Sequence, residues 1–295
     1  MVQGPAGAPG QRLKVLTLNI WNRQGPWERR LPLIRHGLRS LQPDLVGLQE
    51  VLRHDTVAPD QAHEIADGLG YHVAYGPAWD LGGGLHFGNA VLSRWPIASA
   101  GHLTLPGARS SPEADDGEEP RSLLHCEIEA PFGRLPLFVT HLSWKFHQGA
   151  LRCRQVAAIA AHIAARAPVD AEGRFPVVLL GDFNAEPGSD EIRFLAGHHV
   201  LDGHSVFYSD CHRAAGTGDG ATFCRRNPYA AQTREPDRRI DYVFVRGPDR
   251  HGRGEPLSCR VVLDEPIDGV WPTDHFGVLA ELSITPEPLP VVPTG

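Results

Sequence analysis

Asn19, Glu50, His141, Asp182, Asn184, Asp241, Asp274 and His275 are the side chains with the chemistry to work together. Each stands at or beside the end of an apolar run. The clearest run is Pro176-Val177-Val178-Leu179-Leu180, which leads into Gly181-Asp182-Phe183-Asn184. A short, continuous apolar run with β-branched residues reads as a strand buried on both faces, so a carboxylate and an amide sit where a core strand ends. Taken singly, each residue has a bland reading: Asp and Asn favour turns, Glu50 faces solvent, and a lone histidine is satisfied in the core. Gathered in one place, several carboxylates without matching cations would repel one another unless a divalent metal held them. Oxygen ligands without cysteine point to Mg²⁺ or Mn²⁺ rather than zinc.

The elements that must position these groups follow from periodicity. Leu13 to Leu18 alternates as a strand and delivers Asn19. Trp27, Leu31, Ile34, Leu38 and Leu41 lie on one helical face, with Pro32 near the start, where a helix tolerates it best. Pro43-Asp44 ends that helix, and Leu45 to Leu48 is a short buried strand delivering Gln49-Glu50. This is a βαβ unit, in which ligands gather at the carboxyl ends of the strands. Residues 58–69 predict a weaker helix closed by Gly68 and Gly70. Tyr71 to Tyr75 and Asn89 to Ser93 read as strands around Leu81-Gly82-Gly83-Gly84. No Gly-Lys-Ser/Thr follows those glycines, so they make a hairpin or rim loop rather than a phosphate loop.

Residues 107–120 are acidic and aperiodic, a surface loop. Ser122 to Ile128 and Arg134 to Thr140 predict a hairpin turning at Pro131-Phe132-Gly133 and ending at His141. An Ala-rich helix covers 147–167, and a short one Ser189 to Leu195. Residues 197–239 are loop-rich, with Thr222-Phe223 a short strand. Ile240 to Val245, Arg260 to Leu263 and Val278 to Ile284 complete the strands, with Asp274-His275 between the last two. Strands and a helix in the first half recur after residue 175, a loose duplication of organisation without a repeated sequence.

Composition bounds the class. The chain has 295 residues, 41% hydrophobic and 21% charged, enough for a large core. A net charge of −7 argues against a broad basic surface for nucleic acid, though a total leaves room for a local groove. Residues 1–10 show no signal peptide, and no run approaches a membrane span. Five cysteines without Cys-x-x-Cys spacing read as free thiols in a reducing cytoplasm, the expected location. Cys211-His212 near Cys224 lacks zinc-ligand spacing.

The ordered series Thr17-Leu18-Asn19-Ile20-Trp21, Gln49-Glu50, Thr140-His141-Leu142, Gly181-Asp182-Phe183-Asn184, Arg239-Ile240-Asp241-Tyr242 and Asp274-His275 resembles the endonuclease/exonuclease/phosphatase superfamily. That group includes pancreatic-type deoxyribonucleases, abasic-site endonucleases, neutral sphingomyelinases, inositol-polyphosphate phosphatases and tyrosyl-DNA phosphodiesterases. The resemblance covers residues 13–284, leaving 1–12 as a flexible N-terminal segment and 285–295 as a Pro-rich tail. It implies a four-layer α/β sandwich, two packed mixed sheets with helices outside, and metal-dependent hydrolysis of a phosphate ester.

Carried over residue by residue, the resemblance makes Glu50 the main Mg²⁺ ligand, with Asn19 and Asp274 beside the metal. Asp182 matches the carboxylate that orients or deprotonates the attacking water, and Asn184 the amide on the phosphoryl oxygen. His275 matches the imidazole beside the scissile phosphate, Asp241 the carboxylate that orients it, and His141 the histidine that steadies the phosphoryl group. Whether Asp182 or His275 is the base stays open. Arg121 is a candidate phosphate contact, since a guanidinium fork suits phosphate, or else half of a surface salt bridge. Asn89 is a weaker candidate. Trp21, Trp79, Trp144 and Trp271 stack a base, line an apolar slot or simply pack.

Three functions compete. A nucleic-acid phosphodiesterase would use Arg225, Arg226 and the arginines of 234–239 as a local basic rim. A sphingomyelinase-like enzyme would act on phospholipid, but no aromatic hairpin for membrane insertion is evident. A non-catalytic binding module is disfavoured because every motif carboxylate and histidine is present. No protein partner is predicted.

Overall fold

The computed structural model describes residues 11–107, 119–169 and 173–285. Most of the acidic loop expected at 107–120 lies outside the described residues, as do the tail from 286 and the first ten residues.

Two six-stranded sheets pack face to face. The first contains β1 (Arg12–Asn19), β2 (Leu45–His54), β3 (His72–Gly82), β4 (Leu85–Ser93), β11 (Pro256–Val262) and β12 (Gly277–Ser283), in the order β11-β12-β1-β2-β4-β3. The second contains β5 (Ile97–Thr104), β6 (Ser122–Ala130), β7 (Gly133–His141), β8 (Val178–Asp182), β9 (Ser209–Asp210) and β10 (Asp241–Val245), in the order β5-β6-β7-β8-β10-β9. Each sheet has one parallel pair at its centre, β1 with β2 and β7 with β8, and antiparallel neighbours elsewhere. Each pair is joined through a helix, α1 (Trp27–Leu41) in the first sheet and α3 (Gly149–Arg166) in the second. The loose duplication is therefore β-α-β against β-α-β. Among the described residues no helix is long and apolar enough to cross a membrane.

Side-chain alternation along the strands builds the layers. Val15, Leu45, Val91, Leu137, Val139, Val178, Leu180 and Val243 face between the sheets. Their neighbours Leu16, Leu18, Val46 and Leu48 face outward onto Trp27, Ile34 and Leu38 of α1 and Ile65 of α2 (Gln61–Ala66). Leu179, Phe138 and Phe244 face outward onto Val156, Ile159 and Ile163 of α3 and Ile192 of α4 (Asp190–Leu195). Strand β8 is thus buried on both faces, as its apolar run predicts. The architecture is the expected four-layer sandwich of helix, sheet, sheet and helix.

Three readings change. The glycines at 82–84 cap a hairpin much longer than its predicted strands, because β3 reaches Gly82 and β4 begins at Leu85. Strand β5 was missed: its exposed small and polar residues carry no apolar run. Glu50 does not end β2. Between Leu48 and Val51 the register with β4 shifts by one residue, and Glu50 adopts φ 61° before the strand continues to His54. A bulge of this kind re-aims a side chain without ending the strand.

The sheets approach closely at Gly47, where a Cβ would come within 2.0 Å of Leu180 Cδ1 and 3.0 Å of Val139 Cγ2. Gly47→Ala is expected to destabilise the fold by about 1–3 kcal/mol through overpacking, read as a lower urea midpoint. An unchanged midpoint would show that the sheets can part here without loss.

Candidate active site

The topology brings the polar residues to one end of the sandwich. The parallel strands β1, β2, β7 and β8 arrive there carrying Asn19, Glu50, His141 and Asp182. Strand β10 starts there, Asp241 pairing with Asp182, and β12 starts just after Asp274-His275. Gly181 allows the last step of β8: its φ is 146°, and a Cβ would lie 1.9 Å from the Thr140 carbonyl.

Hydrogen bonds join the two sheets. The Asn19 amide donates to Asp182 Oδ2 at 3.0 Å and to Glu50 Oε1 at 3.2 Å. Asn22, which sequence reasoning missed despite lying beside the Asn19 motif, donates to Glu50 Oε2 at 3.0 Å. Asp182 Oδ1 accepts the backbone N–H of Asn184 at 2.9 Å, while the Asn184 side chain donates to the Leu142 carbonyl at 3.1 Å. Trp21, Asn22, Glu50 and Asn184 all have positive φ. For residues other than glycine this stores backbone strain of about 1–3 kcal/mol each, and such strain clusters at functional sites.

Asp182 lies between two imidazoles whose surroundings differ. His141 Nε2 is 3.4 Å from Asp182 Oδ2, and Arg121 Nη1 donates to His141 Nδ1 at 3.0 Å. A guanidinium has only donors, so Nδ1 accepts and the ring proton is on Nε2. Burial, reinforced by the Arg121 charge, holds the His141 pKa well below the ordinary histidine value. His275 Nε2 is 3.8 Å from the same Asp182 oxygen, and its Nδ1 is 2.9 Å from Asp241 Oδ2. Burial opposes its charge, but Asp241 and Asp182 outweigh that effect and raise its pKa well above the ordinary value. Thr222, in the short segment flagged beside Phe223, donates to Asp241 Oδ2 at 2.6 Å and fixes the carboxylate that orients this ring.

The carboxylates are pushed toward protonation by burial: Asp182 to about 6, with Asp241 adding to the rise and His275 opposing it. Asp274 rises to about 7 through burial, His275 opposing and Glu50 adding, and Glu50 also rises through burial. Among the described residues, ligand atoms of Asp182, Asp241 and His275 fall within 4.8 Å of one another. Asp241 Oδ2 is committed to His275 Nδ1 and to Thr222, whereas Asp241 Oδ1 is buried without a hydrogen-bond partner. Glu50, Asn19 and Asp274 offer the oxygen donors that a hard divalent ion prefers, with Asn19 Oδ1 also accepting the Trp21 N–H at 3.0 Å.

These groups stand at the floor of a cavity of about 430 Å³. Leu52, Trp79, Leu85 and Phe87 of the first sheet line it, as do Trp144, Phe223 and Arg238. Glu50, Arg121, His141, Asp182, Asn184 and His275 line it, whereas Asn19, Asp241 and Asp274 are buried outside the lining. Asn89 is not brought into the cavity. It is buried in β4 and donates to the Ser122 carbonyl of β6, tying the sheets together. Arg121 is buried rather than part of a surface salt bridge: it lines the cavity and engages Glu119 at 2.7 Å and His141, while its Nε has no hydrogen-bond partner. Trp79 and Trp144 line the cavity, but Trp21 stacks on Tyr229 and Trp271 on Phe276.

Three of the arginines expected to form a basic rim are paired with carboxylates. Arg226 pairs with Asp264 and Glu265, Arg238 with Glu235 and Arg239 with Asp210, while Arg225 donates to the Arg234 carbonyl. A larger cavity of about 590 Å³ at Arg174, Arg246 and Arg253 holds no comparable carboxylate–histidine set.

The sequence pattern of the Endonuclease/Exonuclease/phosphatase family matches residues 16–275, the span that carries every one of these groups. The chain belongs to the endonuclease/exonuclease/phosphatase family. It is 34% identical to the Escherichia coli protein YbhP over 184 residues, which are 58% of this chain and 66% of that protein, just under two thirds of its length. It is 30% identical over 151 residues to CCR4-NOT transcription complex subunit 6-like-B of Xenopus laevis, 42% of this chain and 28% of that one. An endonuclease/exonuclease/phosphatase structure from Beutenbergia cavernae superposes with a TM-score of 0.67 at 26% identity, over 92% of this chain and 71% of that one. TDP2 from C. elegans superposes with a TM-score of 0.64 at 19% identity, over 92% and 75%, a likeness of fold.

The two family histidines are expected to titrate in opposite senses. In ¹⁵N NMR of the metal-free protein His275 should stay protonated, and His141 neutral, through pH 6.5. A raised folded-state pKa adds stability below the unfolded value that fades as pH climbs through the folded one. A lowered one removes stability as pH falls below the unfolded value. Similar titration of both rings near their ordinary value would refute this division.

Proposed function

We propose that this chain is a divalent-metal-dependent phosphodiesterase of the nuclease type, hydrolysing its substrate by in-line attack of water. The observation that carries this reading is Asp182, held by Asn19 and the Asn184 N–H between a neutral and a protonated imidazole on the cavity floor.

Glu50 would hold Mg²⁺ or Mn²⁺, with Asn19 and Asp274 beside it. When bound, the ion supplies Lewis-acid stabilisation of charge on the phosphoryl oxygens. Asp182 orients and deprotonates the water. Its pKa near 6 leaves it ionised at neutral pH yet basic enough to accept a proton, as suits a general base. His275 enters already protonated and so cannot be the initial base; it donates to the phosphate side through Nε2, with Asp241 on Nδ1 holding the ring's orientation and charge. His141 presents Nε2–H to a phosphoryl oxygen, and Arg121 acts through His141 by occupying Nδ1. The second Asn184 amide proton is available to the same oxygen.

The cavity supports a substrate taken end-on. Its lining includes Leu52, Trp79, Leu85, Phe87 and Trp144, and among the described residues the two arginines that line it, Arg121 and Arg238, are each paired with a glutamate, which disfavours the backbone of an internal duplex site. Single-stranded ends, with a base against Trp79 or Trp144, fit best. A phospholipid phosphodiesterase is the second reading, favoured by exposed Leu81 and Trp144 lining the cavity and by exposed Phe146 against the lining residue Arg238.

Asp182→Ala and His275→Ala are each expected to lower kcat by about 10²–10⁴-fold, with far-UV circular dichroism unchanged. Normal turnover by either variant would overturn its role. Activity should require added Mg²⁺ or Mn²⁺ and vanish in chelator; full activity in chelator would sink the mechanism. A panel of single-stranded DNA, duplex DNA, RNA, sphingomyelin and small phosphomonoesters at fixed Mg²⁺ separates the readings. Nucleotide release from single-stranded ends supports the first, and phosphocholine release the second.

A further inference from the structure

Arg30 breaks the pattern of its own helix. It lies on the buried stripe of α1 with Trp27, Ile34 and Leu38, and its side chain is fully buried. An arginine there needs partners for all five N–H groups, because an unpaired buried charge costs several kcal/mol. The partners are backbone carbonyls. Nε donates to Gln24 O at 3.0 Å, Nη2 to Asn22 O at 2.9 Å and Trp21 O at 3.3 Å, and Nη1 to Ile20 O and Pro272 O, both at 2.9 Å. The guanidinium carbon is 5.1 Å from the Trp21 ring centroid and 5.2 Å from that of Trp27.

Those carbonyls belong to two segments with work at the site. Ile20–Gln24 contains Asn22, which holds Glu50, and both Trp21 and Asn22 are at positive φ. Pro272 begins the run that carries Asp274 and His275. That run has further side-chain anchors: Thr273 Oγ1 donates to the Asn19 carbonyl at 2.8 Å, and Asn227 donates to Thr273 O at 2.7 Å and Asp274 O at 3.2 Å. Side chains of other elements thus take every carbonyl from Pro272 to Asp274, and two of these contacts, through Arg30 and Thr273, reach the strand β1 and its following loop.

We propose that Arg30 is a positioning residue for the ion-binding carboxylates: its guanidinium clamps the strained loop that holds Glu50 to the segment that carries Asp274. Lysine cannot replace it, because one ammonium offers three donors from a point, where the fork spans five acceptors on two segments. The proposal rests on Glu50 and Asp274 as ion ligands.

Calorimetry of Mn²⁺ binding to the full chain without substrate tests it on the wild type, Arg30→Lys and Thr273→Val. Both variants are expected to bind Mn²⁺ about 10–100-fold more weakly while remaining folded by circular dichroism. Their kcat should recover as Mn²⁺ is raised, with substrate KM unchanged, a response that a general loss of folded protein would not give. Wild-type Mn²⁺ affinity in the folded variants overturns the role of Arg30. Should Arg30→Lys fail to fold, Arg30→Gln, which buries no charge and keeps a donor, decides in its place by the same Mn²⁺ titration, whereas Thr273→Val, which also loses the bond to Asp274 Oδ1 at 3.2 Å, reports only on the segment. No binding by the wild type overturns the ligand reading beneath the proposal, a result distinct from equal binding by all three.

Discussion

Glu50, Asp182, Asp241 and Asp274 crowd one end of a sandwich whose interior is apolar, and the local structure answers the cost of that crowding. An ionised carboxylate taken from water without partners costs several kcal/mol. Amides supply part of the compensation: Asn19 serves Glu50 and Asp182, Asn22 serves Glu50, and the Asn184 N–H serves Asp182. One imidazolium, His275, supplies a charge. The two buried guanidiniums nearby contribute little directly, since Arg121 engages Glu119 and His141 and Arg30 engages only carbonyls. The negative surplus left over shows as carboxyl groups displaced toward neutrality, and a divalent cation is the partner that would resolve it.

The crowding depends on how closely the sheets approach. Asn19 belongs to the first sheet and Asp182 to the second, and their 3.0 Å hydrogen bond crosses the sandwich. It forms because Gly47, on the neighbouring strand β2, leaves room for Leu180 two residues before Asp182. Packing in the core therefore sets the distance across the site. Each half contributes the carboxyl ends of one parallel pair, so a doubled β-α-β plan yields a composite site that neither sheet holds alone.

Much of this was legible in the residues. Period-two and period-3.6 patterns placed β1, α1, β7, α3, β8 and β10 close to their observed bounds, because each buries a continuous stripe or face. Strand β5 was not legible: its side chains are largely exposed, and it is a strand because β6 pairs with it. The bulge at Glu50 was not legible either, since it depends on register with β4. Within the site, the residues named by motif converge, apart from Asn89, whose partner is a carbonyl across the sandwich. Asn22, Thr222 and Arg30 were missed because each acts on another residue. Arg30 did leave a signal, a charge on an otherwise apolar helical stripe, and such a conflict between pattern and residue type marks a place where function departs from packing.

The histidines carry that point to the chemistry. His141 and His275 both approach the same Asp182 oxygen, yet the surroundings of one ring favour its neutral form and those of the other its charged form. Nothing in the side chains differs; the neighbour on Nδ1 does. A guanidinium there can only donate, so it takes the lone pair of His141 and disfavours a second proton. A carboxylate there can only accept, so it fixes the Nδ1 proton of His275 and favours the cation. A phosphoryl group between them would meet two N–H donors, one neutral and one charged, with Asp182 left as the acceptor for the proton of water. Exchanging the two Nδ1 neighbours would reverse the rings while leaving every catalytic side chain in place. Under the proposed mechanism, Arg121 and Asp241, one residue removed from the reacting atoms, would set the direction of proton flow.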